Sequence, residues 1–98
     1  MRLFVRFEAF EALTRPEDVA RLREVVGRQL EAVQASGRLQ ASGMFADGRG
    51  GFLVLEAADA EEVFRLLGSA LLDHCRVETR PLLSLASFGE LLQRASAA

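Results

Sequence analysis

Three charged residues beside apolar segments could carry out proton transfer. Glu8 follows Arg6 by two positions near the start of the sequence, and Glu56 ends the most apolar run of the chain. A carboxylate can act as a general base, and a guanidinium can stabilise the negative charge that develops on a carbonyl oxygen. We therefore assign Arg6 to binding or polarising a carbonyl compound, and Glu8 or Glu56 to moving the proton.

The same side chains have a purely structural interpretation. If the strands that contain them pair, Arg6 with Glu78 or Glu8 with Arg76 would form cross-strand ion pairs on a partly solvated sheet. Such pairs are common and only modestly stabilising. Both interpretations remain open from the sequence.

His74 and Cys75 are the other residues with chemical potential. His74 is the one imidazole of the chain and could deliver a proton or contact a ligand, or it could be an exposed or capping residue. Adjacent strand residues point to opposite faces, so a nucleophilic pair with Cys75 is disfavoured. A single cysteine also excludes an internal disulfide and supplies too few thiolates for a structural zinc site. We expect Cys75 to pack as a small apolar residue and expect no metal.

The glycine-rich stretch at 47–51 resembles a phosphate-binding loop only superficially. Such loops precede a helix whose amino terminus holds the anion. Here the apolar run Phe52–Leu55 follows, which has the length of a strand. The Asp-Gly pair therefore predicts a hairpin turn.

Apolar periodicity divides the rest of the chain into alternating strands and helices. Capping pairs mark the predicted helix starts, namely Thr14 with Glu17, Asp59 with Glu62 and Ser87 with Glu90. The first helix runs to about Ala35, the second carries its apolar stripe from Val63 to Leu71 and includes Gly68, and the third is short. The predicted strands are Leu3–Phe7, Leu39–Ala46, Phe52–Leu55 and Cys75–Leu83.

The order βαββαβ predicts an α+β fold, the ferredoxin-like plait with a short C-terminal helix. Its four-stranded antiparallel sheet carries both crossover helices on one face. Alternation along the first strand gives Leu3, Val5 and Phe7 to the helix side and Phe4, Arg6 and Glu8 to the other side. For the third strand we expect Phe52, Val54 and Glu56 to share that other side.

This arrangement predicts an apolar patch on the helix-free face, formed by Phe4, Phe52 and Val54 with Met44. A patch of several hundred Å² is roughly the size that marks an interface. We therefore expect a homodimer or higher homo-oligomer through the sheet face. The same four residues and His74 are the candidate ligand contacts. The terminal helix could pack on its own sheet or on the partner.

Composition limits the remaining classes of protein. Ninety-eight residues, half of them hydrophobic, predict one domain over 1–98. A net charge of -2 gives no electrostatic footprint for nucleic acid or an anionic membrane. No apolar stretch approaches the ~20 residues of a membrane span, so we expect a cytoplasmic protein.

Three stretches carry a resemblance to a known family: Met1–Phe7, Ala46–Ala57 and Val77–Leu82. Together they resemble the muconolactone isomerase-like families of the dimeric α+β barrel superfamily, which include the YCII-related proteins. The resemblance covers nearly the whole chain. It consists in the order of the elements and in the distribution of apolar residues along them. It implies a dimer whose two sheets enclose a cavity, with a small-molecule site between them and no organic cofactor.

The family resemblance also suggests an activity. Muconolactone isomerases shift a carbon–carbon double bond in a lactone by moving a proton, so a cofactor-independent isomerase or lyase acting on a small carbonyl or lactone compound is expected. The alternative is a non-catalytic small-ligand-binding or assembly module of the same fold, because fold does not determine function.

Overall fold

The computed structural model describes residues 1–97 of the chain. The elements are β1 (Arg2–Ala9), α1 (Pro16–Ala35), β2 (Leu39–Met44), β3 (Gly50–Glu56), α2 (Ala60–His74), β4 (Cys75–Pro81) and α3 (Leu85–Ala97). This order confirms the predicted βαββαβ arrangement with a helix after it.

The four strands form one antiparallel sheet in the order β2-β3-β1-β4. The two most apolar strands, β1 and β3, lie in the middle, as predicted. Along β1, Phe4 lies opposite Val54 of β3 and Arg6 opposite Phe52. Across the other edge of β1, Arg6 lies opposite Glu78. The register therefore brings the predicted charged and apolar side chains onto the same sheet.

The core lies between the sheet and the two crossover helices. Alternate residues of β1 and β3 point into it, because a strand presents successive side chains to opposite faces. The buried apolar residues come from the sheet, from α1 and from α2: Leu3, Val5, Phe7, Ala9, Leu22, Val26, Val33, Leu53, Leu55, Ala57, Val63, Leu67, Leu71 and Cys75. Cys75 packs as the small apolar residue that the sequence predicted.

Two of the three predicted helix caps are wrong. Helix α1 has Arg15 as its N-cap without a side-chain hydrogen bond, so Thr14 and Glu17 form no capping box. Pro16 at the first helical position fixes the entry instead, because its φ is already helical. Asp59 does cap α2, since its Oδ1 accepts the backbone N–H of Glu62 at 2.8 Å.

The third helix begins earlier than predicted. Its start is capped by Ser84, whose Oγ accepts the backbone N–H of Ser87 at 3.0 Å. The spacing of Ser87 and Glu90 resembles a capping pair, but Leu85 already begins the helix. The capping hydroxyl therefore lies one turn upstream of the predicted one.

Helix α3 has no buried residue. Its apolar side chains are open to solvent, with Leu85 at 90% exposure, Phe88 at 51% and Leu92 at 52%. The molecule is 58 Å long, and its radius of gyration is 16.2 Å, against about 13 Å for a compact chain of this length. Helix α3 thus extends away from the body of the protomer.

Candidate functional site

The face of the sheet that points away from α1 and α2, here called the outer face, carries an aromatic pair. The rings of Phe4 and Phe52 stack with centroids 5.9 Å apart and planes 20° from parallel. Gly43 lies opposite Phe52 across the β2–β3 pair, and a Cβ there would come within 2.6 Å of the Phe52 ring. Val54 is half-buried beside the pair. As predicted, Phe4, Phe52 and Val54 share this face.

Arg6 and Glu8 form an ion pair at one end of this apolar patch. Arg6 Nη2 lies 2.5 Å from Glu8 Oε1, and both side chains are nearly half exposed. The Arg6 guanidinium also lies 5.4 Å from the ring centroid of Phe45, which is a cation–π geometry. The sequence allowed cross-strand pairs with Glu78 or Arg76; these residues are opposite in register, but Arg6 bridges to its own strand neighbour.

Glu56 lies at the other end of the outer face. Its partners are the amino terminus of Met1, at 3.3 Å, and Arg2 Nε, at 3.5 Å. The register places Glu56 opposite Arg2, which is about 20 Å along β1 from Glu8 at about 3.3 Å per residue. The expectation that Glu56 points into the same space as Arg6 and Glu8 is therefore wrong.

Met44 lies on the helix side of the sheet. It pairs with Gly51, and a Cβ on Gly51 would approach Met44 Sδ at 3.0 Å and the ring of Phe7 at 3.1 Å. The predicted place of Met44 in the apolar patch is wrong because the β2–β3 pairing shifts register between Leu39 and Ala41. Such an irregularity changes which face a residue occupies.

His74 ends α2, one residue before β4 begins. Its Nδ1 lies 2.8 Å from the carbonyl oxygen of Ala70, so the ring contacts the last turn of its own helix. A histidine at this position interacts favourably with the carboxyl end of a helix. This is the capping role that the sequence left open beside ligand contact. Burial raises the pKa of the neighbouring Cys75 thiol, which makes it a poorer nucleophile.

The glycine-rich stretch forms the predicted hairpin between β2 and β3. Gly48 has a φ of +71°, and Asp47 Oδ1 accepts the backbone N–H of Arg49 at 3.0 Å. Phe45 donates its N–H to Gly50 O at 2.8 Å. The hairpin thereby fixes Phe45 next to Arg6.

Two further properties of residues 1–97 concern metal ligands and the apolar character of the helices. Within residues 1–97, histidine, cysteine and carboxylate side chains form no cluster of three or more that could hold a metal ion. Over the same residues, the helices fall short of the length and apolar character needed to cross a membrane.

Sequence reasoning missed two partners of the predicted site residues. Phe45 faces Arg6, and Arg2 faces Glu56. Arg2 could have been found from the register of β1 against β3, but nothing local fixes that register because a helix and another strand separate the two. Phe45 follows from the hairpin only once the length of its turn is known.

The space at the Arg6–Glu8 end is small within one protomer. A cavity of about 30 Å³ lies against Glu8, Phe10 and Arg76, which is roughly the volume of one water molecule. A ligand at this end of the outer face would need walls from outside the protomer.

Comparison with known proteins gives a fold. No protein-family model matches the chain, and no curated protein matches it. Among solved structures, the crystal structure of muconolactone isomerase at 3.3 Å resolution matches with a TM-score of 0.68 and 15% identity, over 86% of this chain and 90% of that chain. Rv0793 from Mycobacterium tuberculosis matches with a TM-score of 0.49 and 15% identity, over 87% of this chain and 96% of that chain. The helix-backed antiparallel sheet described above is therefore the muconolactone isomerase-like fold.

Proposed function

We propose that two copies of this protein associate through their outer faces and bind a small carbonyl or lactone compound between the sheets. In this proposal the protein is an isomerase or lyase that needs no cofactor. The observation that carries it is the Arg6–Glu8 pair, a cation and a carboxylate 2.5 Å apart at the margin of the Phe4–Phe52 patch. The unpaired Cys75 thiol is consistent with a cytoplasmic protein.

The chemistry follows from the two side chains. The Glu8 carboxylate would remove an allylic proton from the substrate, and the electron pair of that C–H bond would move through the double bond onto the carbonyl oxygen. The Arg6 guanidinium would stabilise the resulting enolate oxygen. The protonated Glu8 would then return the proton to the other end of the allylic system. The double bond moves by one position, and nothing else is consumed.

Association of two protomers is a part of the proposal that can be tested separately. Sedimentation equilibrium at micromolar concentration should give twice the protomer mass. Phe52→Glu should shift the protein toward the protomer, because it replaces one ring of the aromatic pair by a charge that the interface would bury. If the unaltered protein sediments with the mass of one protomer, the binding site between two sheets and the chemistry assigned to it are both wrong.

The activity is tested with muconolactone and related unsaturated lactones in D₂O. Proton NMR would follow the migration of the double bond and the uptake of deuterium. Glu8→Gln should abolish the exchange, whereas Glu56→Gln is the matched control because it removes the same charge about 20 Å away. Equal loss in both variants, or none in either, would contradict Glu8 as the base.

A second candidate function, the assembly module, is favoured by α3. A helix with an unpacked apolar face, from Leu85 to Leu92, is suited to docking on another protein surface. If the protein only assembles, Glu8→Gln leaves the sedimentation mass unchanged and no lactone shows exchange at any protein concentration.

A further inference from the structure

A cleft opens on the side of the sheet opposite to the Arg6–Glu8 pair, under α1. Its volume is about 120 Å³, and its apolar walls include Phe7, Val26, Leu30 and Met44. A second cavity of about 130 Å³ adjoins it and shares Phe7, Leu30 and Met44. For scale, a dry apolar cavity of about 150 Å³ accepts benzene.

The cleft depends on a glycine in the middle of α1. Gly27 lies near the middle of α1 (Pro16–Ala35), and a Cβ added to it would meet nothing within 4 Å. Glycine inside a helix costs about 0.5–1 kcal/mol relative to alanine. No packing contact requires the missing side chain here, and its absence leaves the cleft open.

Two arginines lie at the same cleft. Arg49 Nη2 donates to the carbonyl oxygens of Phe10 and Leu13, at 3.1 and 3.2 Å. These bonds hold the guanidinium in place, and within residues 1–97 its Nε and Nη1 donate no hydrogen bond. Arg23 also lines the cleft, and its Nη2 reaches to 3.8 Å from the position of a Cβ on Gly48.

The charge of these arginines is not balanced by an ion pair. Five other arginines bridge to carboxylates, but among residues 1–97 neither Arg23 nor Arg49 has a carboxylate within 4.0 Å. The nearest acidic group on the hairpin, Asp47, accepts the backbone N–H of Arg49. An apolar cleft with two available guanidinium groups is complementary to an anion that has a compact apolar body.

We infer that this cleft binds a small monocarboxylate of about the size of benzoate, with its apolar group between Phe7 and Val26 and its carboxylate on Arg23 and Arg49. The site lies on the other face of the sheet from the proposed lactone chamber. It requires neither a second protomer nor catalysis, so the two proposals can fail independently.

The test is a titration of the full chain with sodium benzoate, followed by calorimetry and by amide NMR shifts. Binding should saturate, and the largest shifts should lie at Gly27 and Leu30. Benzamide, which has the same shape without the charge, should bind about tenfold more weakly because it loses the charge-assisted bonds. Absence of saturable binding, or shifts at Arg6 and Phe52 without any at Gly27, would overturn the assignment.

Matched variants separate the cleft from general effects. Gly27→Leu should fill the cleft and abolish benzoate binding, whereas Gly89→Leu makes the same change in α3, where a Cβ also meets nothing within 4 Å. Arg23→Gln should weaken binding about tenfold, whereas the exposed Arg21→Gln on the same helix should leave it unchanged. Wild-type affinity in both Gly27→Leu and Arg23→Gln would show that benzoate binds elsewhere.

Discussion

Gln29 of α1 donates a hydrogen bond from Nε2 to the carbonyl oxygen of Leu66 in α2, at 2.6 Å. The bond lies next to a break in α2, where Gly68 has φ +65° and ψ 168°. A break in a helix deprives carbonyls of the preceding turn of their usual donors. The side-chain amide of α1 thus supplies a donor to a backbone carbonyl of α2. This bond helps to fix how the two helices lie side by side on the sheet.

Gln29→Ala should lower the free energy of unfolding by about 1–2 kcal/mol, because it leaves a partly buried carbonyl without this donor. Urea denaturation measures the change. Gln34→Ala is the matched control, since Gln34 is exposed on the same helix. Equal stability of the two variants would show that solvent replaces the Gln29 amide.

Gly68→Ala should destabilise the protein by about 1–2 kcal/mol, because its backbone conformation favours glycine. A Cβ there would also lie 2.9 Å from the Gln29 amide. Gly27→Ala should have the opposite sign and stabilise by about 0.5–1 kcal/mol, since Gly27 is helical and its Cβ position is open. Thermal unfolding of both variants tests the pair. A stabilising Gly68→Ala would contradict the break in α2.

Most of the fold could be predicted from the sequence because the plait follows from short-range signals. The nearly continuous apolar run Leu3–Phe7 and the Asp-Gly turn are both local signals, and the order of elements leaves few topologies. The helix caps were harder to predict, because Thr14 and Ser87 have the right type and spacing but compete with Pro16 and Ser84 nearby. A local sequence pattern does not show which of two nearby candidate residues begins the helix.

The candidate site was predicted only in part, because it depends on long-range register. Alternation placed Arg6 and Glu8 on one face, and it placed Glu56 on that face as well. The distance from Glu8 to Glu56 depends on the register between β1 and β3, and no local sequence signal determines that register. For Met44, an irregularity in the β2–β3 pairing changed the face. The alternation of side chains along a strand determines which face of the sheet a residue occupies. The register between strands determines which residues lie next to it.

Cys75 should dominate the alkaline pH dependence of stability. Burial raises the pKa of its thiol above the ordinary value of 9.0. Above that value the unfolded chain loses the thiol proton while the folded chain keeps it, so stability falls as pH rises from about 9 through the folded pKa. The slope should approach, but not exceed, about 1.4 kcal/mol per pH unit.

The composition makes this measurement unusually clear. All twelve basic residues are arginine, and there is no tyrosine, so no other side chain titrates between pH 9 and about 11. Urea denaturation from pH 8.5 to 10.5 should show the decline in the wild type and a flat profile in Cys75→Ala. A decline of the same slope in Cys75→Ala would show that the Cys75 thiol does not cause the effect.

Removal of α3 should leave the protomer folded. A chain that ends at Ser84 retains every buried residue of the core, because α3 contributes none. At concentrations that favour the protomer, its free energy of unfolding should lie within about 1 kcal/mol of the full chain, since exposed segments contribute little. If α3 docks on a second copy, sedimentation should show weaker self-association after the truncation. A truncated chain that is unfolded at every concentration would instead mean that Leu85, Phe88 and Leu92 stabilise their own protomer.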